Sequence, residues 1–149
     1  MGPEEIERRL DLFTQRLRDA GIKLTSQRMA IFRAIAASEQ HPDAETLYGE
    51  LKESCPSLSI DTVYRSLWLL AELGLVSTVG QRHEAVRFDV NLSRHHHFVC
   101  IRCGSIQDFY SPQLDRLDVA EEVQDFGAFV SSQVEVRGIC KKCETGTDQ

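Results

Sequence analysis

The sequence lacks an apolar stretch long enough to cross a membrane, because no hydrophobic run approaches the ~20 residues that such a helix needs. Its first ten residues, MGPEEIERRL, lack the basic and then apolar pattern of a signal peptide. Internal repeats and low-complexity segments are absent as well. We therefore expect the 149 residues to form one or two small domains. We also expect a location in the cytoplasm, without a membrane partner.

An excess of positive charge is also missing. The net charge is −6, and both parts of the chain are acidic: residues 1–90 carry 11 Lys and Arg against 14 Asp and Glu, and residues 91–149 carry 6 against 9. Nucleic-acid binding usually depends on basic side chains, since they neutralise phosphates. Residues 1–35 hold seven basic side chains against five acidic ones. Any nucleic-acid binding must therefore depend on such local patches.

Cysteine is scarce, but four of the five cysteines form two CxxC pairs, Cys100 with Cys103 and Cys140 with Cys143. In a reducing cytoplasm such pairs are more often zinc ligands than disulfides. A tight turn presents both sulfurs of a pair to one ion, and a strand–helix–strand path can bring the two turns together. Four thiolates favour Zn²⁺ in a closed, structural site. The fifth cysteine, Cys55, is interpreted as a buried small hydrophobic residue.

The first ninety residues have the pattern of four helices. Apolar residues at helical spacing predict a first helix that Gly21 ends and a second that Thr25 caps. Pro42 is expected at the first position of a third helix, PDAETLYGELKES. Ser59 is expected to cap a fourth helix, IDTVYRSLWLLAELG, which ends at Gly74.

Two short segments, LVSTV and AVRFDV, flank the polar turn GQRHE and predict a β-hairpin. Helices followed by a hairpin indicate a winged helix-turn-helix, whose fourth helix would enter the major groove of DNA. On that helix, Arg65 can pair with guanine or phosphate, and Tyr64 can reach a phosphate or a thymine methyl. Lys23 and Arg28 of the basic patch are further candidate DNA contacts. The alternative is a solvated polar face on an ordinary amphipathic helix.

After the connection NLSR at 91–94, the pattern changes to strands. HHHFVCI, SIQDFY and FVSSQVEVRGIC are predicted strands, and SPQLDRLDVAEEVQDFG is a predicted helix between the second and the third. In the last strand Val130, Val134 and Val136 alternate with polar residues. This predicts a small α+β unit of about 55 residues, which a structural metal or a partner would help to stabilise.

Three successive histidines open the first of these strands. On a strand, His95 and His97 point to one face and His96 to the other, so His95 and His97 can converge on a second ion. Asp108 comes beside them if the strands around the Cys100–Cys103 turn pair antiparallel.

Two further candidate ligands lie in the first ninety residues. Asp89 ends the predicted hairpin, and His41 can join from the connection before the third helix. Imidazole and carboxylate together suit Fe²⁺, Mn²⁺, Zn²⁺ or Ni²⁺, and spacing does not choose among them. The alternative is a solvated histidine strand without a ligand role.

Several motifs together make the chain resemble a known family: LTSQR, HPDAETLY, DTVYRSLWLLAELGLV, RFD, HHHFVCIRCG and CKKC. Over about residues 10–143 the chain resembles the ferric uptake regulator (Fur) family of metal-dependent bacterial repressors. The resemblance implies an α+β homodimer with a winged-helix DNA-binding domain at 1–90, a hinge at 91–94 and a small α/β dimerisation domain at 95–149.

The resemblance also implies two metal sites and a DNA partner. The four paired cysteines fall on the family's structural Zn²⁺ site. Five residues fall on its regulatory site for Fe²⁺ or Mn²⁺: His41, Asp89, His95, His97 and Asp108. The ion there would connect the two domains and so let the dimer bind a palindromic operator.

Position 89 favours one branch of the family. Iron-uptake regulators usually carry Glu there, whereas the peroxide-sensing, PerR-like branch carries Asp, as Asp89 is here. A further site of many uptake regulators is expected to be absent, because Arg94 occupies one of its positions and SSQVEV has no histidine. His96 is then expected to be a solvent-facing bystander. The resemblance implies that Fe²⁺ catalyses oxidation of His41 or His95 by hydrogen peroxide.

The main alternative is an iron- or zinc-uptake repressor of the same family that senses metal occupancy alone. A metal-dependent hydrolase is disfavoured, because five protein ligands leave little room and no positioned general base is recognisable. A redox enzyme is disfavoured, since four thiolates on zinc are unavailable for exchange. We therefore expect a regulator and not an enzyme.

Overall fold

The computed structural model describes residues 2–80, 85–117 and 120–146. The chain forms two compact units, Met1–Leu92 and Ser93–Gln149. Within the described ranges, no helix has the length and apolar character needed to cross a membrane. Most of the predicted turn GQRHE lies outside these ranges.

The first unit contains four helices and a hairpin. The elements are α1 Pro3–Asp19, α2 Ser26–Ala37, α3 Ala44–Leu51, α4 Ile60–Glu72, β1 Ser77–Val79 and β2 Arg87–Asp89. The predicted caps are confirmed, because the hydroxyls of Thr25 and Ser59 each accept the N–H of the third residue that follows, at 3.2 Å. Gly21 and Gly74, at φ of +69° and +72°, follow α1 and α4.

The third helix begins later than the sequence predicted, and Pro42 is not its first residue. Asp43 is the N-cap, and its carboxylate accepts the N–H of Thr46 at 2.7 Å. A carboxylate satisfies an otherwise unpaired N–H and faces the positive end of the helix dipole, so the cap defines the start. Pro42 and His41 therefore lie in the connection before α3, where His41 adopts a φ of +50°.

The apolar faces of the helices share one core with the hairpin. Phe13 of α1 meets Phe32 of α2 edge-on, with ring centroids 5.9 Å apart. Strand β2 pairs antiparallel with β1 as predicted, and its Phe88 is buried beside Trp68 of α4, at 5.6 Å between centroids. This contact fixes the hairpin against the helix that was predicted to recognise DNA. Cys55 is half-buried and packs against the same core, in partial agreement with its predicted burial.

The second unit is a mixed sheet with short helices. Its elements are β3 His96–Cys100, β4 Ile106–Phe109, α5 Pro112–Asp115, α6 Ala120–Val123, β5 Glu135–Gly138 and α7 Lys141–Glu144. The strand order is β4–β3–β5, with β4 antiparallel and β5 parallel to β3. The predicted antiparallel pairing around the cysteine turn is confirmed, and it places His97 opposite Asp108.

Two predictions for this unit are wrong. The single predicted helix ends at Asp115, whose carbonyl accepts from the guanidinium of Arg94 at 2.6 Å, and helix resumes only at α6. The last strand is shorter than its alternating valines suggested, because its ladder with β3 begins only at Glu135. Val130 lies outside the strand and is 89% exposed. Alternation predicts a strand only where a neighbouring strand supplies hydrogen bonds.

Candidate metal centres

The four paired cysteines meet where β3 and β5 end. Parallel pairing sets Cys100 opposite Gly138, two residues before Cys140. Cys103 lies on the turn after β3, and Cys143 lies on α7. The four Sγ atoms lie within 4.8 Å of one another, and those of Cys103 and Cys140 are 3.8 Å apart. Tetrahedral zinc with bonds near ~2.3 Å needs sulfur separations of about 3.8 Å. The cluster therefore has the ligands and spacing of a closed zinc site.

Hydrogen bonds lower the pKa of some thiols of this cluster, and burial raises the pKa of another. The backbone N–H groups of Cys103 and Cys140 lower the pKa of Cys100 to about 6, and the second donates at 3.3 Å. The hydroxyl of Ser105, 3.2 Å from Sγ, lowers the pKa of Cys103. Desolvation and the neighbouring thiols raise the pKa of Cys143 to about 12. Without an ion, thiolate and thiol therefore coexist, and a divalent cation would displace the remaining protons.

In the first unit, the structure brings His41 and Asp89 together. His41 Nε2 lies 3.5 Å from Asp89 Oδ2, and both residues are buried, at 6% and 4% exposure. The other carboxylate oxygen of Asp89 accepts the N–H of Asn91 at 2.9 Å. A buried carboxylate is costly unless it is paired or binds a cation. The pair therefore has the character of a functional site rather than of a solvated surface.

In the second unit, the structure brings His95, His97 and Asp108 together. The Nε2 atoms of the two histidines are 3.1 Å apart, and they lie 3.7 Å and 3.3 Å from Asp108 Oδ1. Adjacent ligands on an octahedral ion with bonds of ~2.1 Å would be about 3 Å apart. His95 Nδ1 donates to the carbonyl of Ser93 at 2.6 Å, which leaves the lone pair on Nε2. These three side chains are therefore arranged as metal ligands.

The prediction that His96 faces solvent is wrong. Its side chain is fully buried, and Nδ1 accepts the N–H of Val134 at 3.1 Å. The opposite nitrogen, Nε2, therefore donates to Asp115 Oδ1 at 2.8 Å. His96 connects the back of β3 to α5 and to the segment before β5. No pattern in the sequence pointed to Asp115, because its partner His96 lies 19 residues away at no regular spacing.

The candidate DNA contacts lie on the first unit. Tyr64 is 40% exposed on α4, and Arg65 beside it is exposed. Lys23 is exposed, whereas Arg28 is half-buried and donates to the Lys23 carbonyl at 2.6 Å. Trp68 was not predicted, although it follows Tyr64 by one helical turn and is 44% exposed. The spacing i, i+4 on the predicted recognition helix was the available signal.

A winged helix-turn-helix unit, joined to a unit with a four-cysteine cluster and buried histidine–aspartate ligands, defines a class of DNA-binding regulators that depend on metal. The sequence profile of the ferric uptake regulator family matches residues 19–136. The chain belongs to the ferric uptake regulator family, whose members are DNA-binding, dimeric transcriptional regulators and not enzymes.

Individual relatives cover almost the whole chain. The peroxide-responsive repressor PerR of Staphylococcus epidermidis is 36% identical over 142 residues, which are 95% of this chain and 94% of the relative. The peroxide-sensing regulator PerR of Streptococcus pyogenes has 31% identity and a TM-score of 0.52, covering 90% and 92% of the two chains. The ferric uptake regulator of Pseudomonas aeruginosa, solved with manganese, has 27% identity and a TM-score of 0.68, covering 87% and 98%.

Proposed function

We propose that this regulator is a metal-dependent repressor that senses hydrogen peroxide. In this proposal, residues 1–90 bind a palindromic operator, residues 95–149 form the homodimer and residues 91–94 are the hinge. The observation that carries it is a set of buried histidines beside an aspartate in each unit, buried Asp89 and half-buried Asp108, with Asp89 at the position that separates the two branches. The PerR relatives support it as well. A DNA partner and thiolates that hold zinc would both support a location in the cytoplasm.

The proposed ligands divide into a structural and a regulatory set. Cys100, Cys103, Cys140 and Cys143 would hold Zn²⁺. Fe²⁺ or Mn²⁺ would be held by His41, Asp89, His95, His97 and Asp108. Two carboxylates balance the charge of a divalent ion, and neutral imidazoles complete five ligands. When bound, Fe²⁺ would pass electrons to peroxide beside the imidazoles and recover them from the oxidised ring, and Mn²⁺ would not supply this chemistry.

Ligands from both units give metal binding its effect on DNA. The proposed ion would bind tightly only when His41 and Asp89 are held together with the ligands of the second unit. Metal binding would therefore favour the state in which all five ligands meet. That state would direct Tyr64 and Arg65 of each protomer into successive major grooves, with Lys23 and Arg28 at the phosphates. Loss of a single ligand would then weaken the preference for the DNA-binding state.

Oxidation of a ligand histidine would reverse this selection. A hydroxyl group of the peroxide would replace the hydrogen on a ring carbon of His41 or His95, and that hydrogen would leave with the other hydroxyl group as water. The imidazole loses two electrons, the peroxide gains them, and the oxidised ring is a poor ligand. Asp89 and Asp108 would remain as carboxylates without their full ligand partners, so the ion and the operator would be released.

The experiment that tests the sensing mechanism is mass spectrometry of the Fe²⁺-loaded protein after dilute peroxide. We expect peptides that contain His41 or His95 to gain the mass of one oxygen atom, and the Mn²⁺-loaded protein to remain unchanged. Operator binding, measured in parallel, should be lost with Fe²⁺ and retained with Mn²⁺. If neither peptide gains oxygen, the sensing mechanism is wrong, although metal-dependent repression can still hold.

The second candidate is a repressor that senses metal occupancy alone, which the likeness to the Pseudomonas aeruginosa regulator favours. The variant Asp89→Glu distinguishes the two. If the chain senses peroxide, this variant should retain metal-dependent operator binding and lose part of its peroxide sensitivity. Under the second candidate, peroxide has no effect on the wild-type protein or on the variant.

A further inference from the structure

Arg87, on the neighbouring strand, donates hydrogen bonds to the backbone at His41. It lies on β2, and its Nε donates to the carbonyl of His41 at 2.5 Å while Nη2 donates to the carbonyl of Gln40 at 2.7 Å. A planar guanidinium can donate to two neighbouring carbonyls at once, which a lysine ammonium cannot reproduce. One side chain thus holds two successive peptide groups next to a proposed ligand.

The backbone of β2 adds two contacts to the same segment. The N–H of Phe88 donates to the carbonyl of Pro42 at 3.0 Å, and Asp43 forms an isolated antiparallel bridge with Arg87. Residues 40–43 therefore run along β2 before α3 begins. The position of His41 is thus set by β2 rather than by the helix that follows it.

His41 requires such contacts because its backbone is strained. Its φ of +50° lies in the left-handed region, and within the described ranges no other residue except glycine has a positive φ. The left-handed region is unfavourable for a residue with a Cβ atom, and the proline that follows restricts His41 further. Strained conformations persist only where surrounding contacts impose them, and they cluster at functional sites.

The same face of β2 holds the imidazole of His41 as well as its backbone. Residues two apart on a strand point to one side, so Arg87 and Asp89 share a face. Arg87 binds the backbone of the segment, and Asp89 Oδ2 lies 3.5 Å from His41 Nε2. Two side chains of one three-residue strand therefore orient one histidine.

We propose that Arg87 is a positioning residue that holds His41 in its strained conformation before metal binds, so that affinity for the regulatory ion depends on Arg87. This inference rests on the proposed function, which makes His41 a ligand. Groups that orient a metal ligand typically affect affinity by 10-fold to 100-fold when they are removed. A direct contact of this hairpin arginine with DNA is the rival explanation.

The test is titration of the full-length, zinc-containing protein with Mn²⁺, which avoids oxidation. We expect Arg87→Ala and Arg87→Lys each to bind Mn²⁺ about tenfold more weakly than the wild type. The matched control is Arg33→Ala, because Arg33 is an exposed arginine of the same unit that pairs with Glu7 at 2.9 Å. This control should bind Mn²⁺ as the wild type does.

A second readout does not depend on the ion. Without added Mn²⁺, the backbone N–H of Phe88 should exchange with solvent faster in Arg87→Lys than in the wild type, because residues 40–43 are released. Zinc content and the exchange of α4 amides should not change. At saturating Mn²⁺, operator affinity of the variant should return to the wild-type value.

Several results would overturn the inference. If Arg87→Lys binds Mn²⁺ as tightly as the wild type does, only the positive charge at this position matters. If operator binding by the variant stays weak at saturating Mn²⁺, Arg87 contacts DNA. If Arg87→Ala fails to fold, Arg87→Lys decides between these outcomes. Failure of the proposed function gives a different result: His41→Ala would then bind Mn²⁺ as tightly as the wild type does.

Discussion

Adjacent histidines in this chain differ in role because different atoms contact their second nitrogen. The Ser93 carbonyl accepts a hydrogen bond from Nδ1–H of His95, which leaves Nε2 as an acceptor. The Val134 N–H donates to Nδ1 of His96, so the proton of the ring is on Nε2, which donates to Asp115. The residue pattern predicted the two faces correctly, because strand geometry is local. It could not predict the burial of His96, which depends on residues 19 and 38 positions away.

At the residue scale, zinc affinity should rise with pH. Between about pH 6 and pH 12, Cys100 of the metal-free cluster is a thiolate, whereas Cys143 remains a thiol. Zinc needs both as thiolates, so binding releases at least the proton of Cys143 throughout this range. We expect the association constant to increase about tenfold or more per pH unit between pH 7 and pH 8, measured by competition with a chelator.

The number of protons released has an independent check. Calorimetric zinc titration at pH 7.5 in two buffers of different ionisation enthalpy should give at least one proton released per ion. The variant Cys55→Ser, which leaves the cluster intact, should give the same number. An association constant independent of pH would contradict the assigned pKa of Cys143.

At the element scale, the pairing of β5 with β3 carries the cysteine cluster. Gly138 lies opposite Cys100, where a Cβ atom would approach Phe98 Cε2 to 2.9 Å and Cζ to 3.0 Å. Separations this short require the ring or the strand to shift. Glycine at this position therefore lets β5 approach β3 closely enough for Cys140 to reach the thiolates of the first turn.

We predict that Gly138→Ala destabilises the zinc-loaded protein by about 1–3 kcal/mol, because the added methyl overpacks against Phe98. Denaturant unfolding followed by circular dichroism measures this. The control is Gly49→Ala on α3, where nothing lies within 4 Å and alanine should stabilise the helix by roughly 0.5–1 kcal/mol. Equal stability of Gly138→Ala and the wild type would show that β5 accommodates the methyl.

Most helix starts and ends in the first unit were predictable from a single residue, but the start of α3 was not, because Asp43 and not the residue before Pro42 is its cap. Thr25, Ser59, Gly21 and Gly74 were assigned correctly because caps and left-handed glycines act over three or four residues. The end of α5 was not predictable, since it involves the guanidinium of Arg94 from the segment before β3. The length of β5 was missed for the same reason: its limits are those of its ladder with β3.

At the scale of the whole molecule, the charge is a problem for DNA binding. A chain of net charge −6 repels a polyanion at long range, so affinity must come from a small number of well-placed basic groups. Arg65 is the exposed basic residue of α4, and it is doubled in a symmetric dimer. If Arg65 contacts DNA, its loss would therefore remove two contacts from each complex.

We predict that Arg65→Ala lowers the operator affinity of the Mn²⁺-loaded dimer at least tenfold. If the contact is to phosphate, the slope of log affinity against log salt should fall by about 2 per dimer, and if it is to a base the slope should not change. Fluorescence anisotropy across a salt series measures both quantities. Arg137→Ala is the control, because Arg137 lies on β5 and pairs with Glu135. An affinity equal to that of this control would exclude Arg65 from the interface.

By itself, the sequence determined the helices and the hairpin of the first unit, the antiparallel strands around the first cysteine turn and the chemistry of the ligands, but not α7 or the limits of α5, α6 and β5. Hydrophobic periodicity, caps and CxxC turns act over a few residues, so the winged helix and the zinc-type cluster were predictable from order alone. Family membership followed from the same motifs and was confirmed by the comparisons.

Only the tertiary structure decided which side chains are buried and which partners they contact. The burial of His96, the two carbonyls bound by Arg87 and the strained φ of His41 each join residues distant in sequence. Sequence periodicity cannot identify such partners, because their separation in sequence is not regular. Their positions are fixed only when strands pair and the core closes, because those events bring distant backbone segments within hydrogen-bond distance.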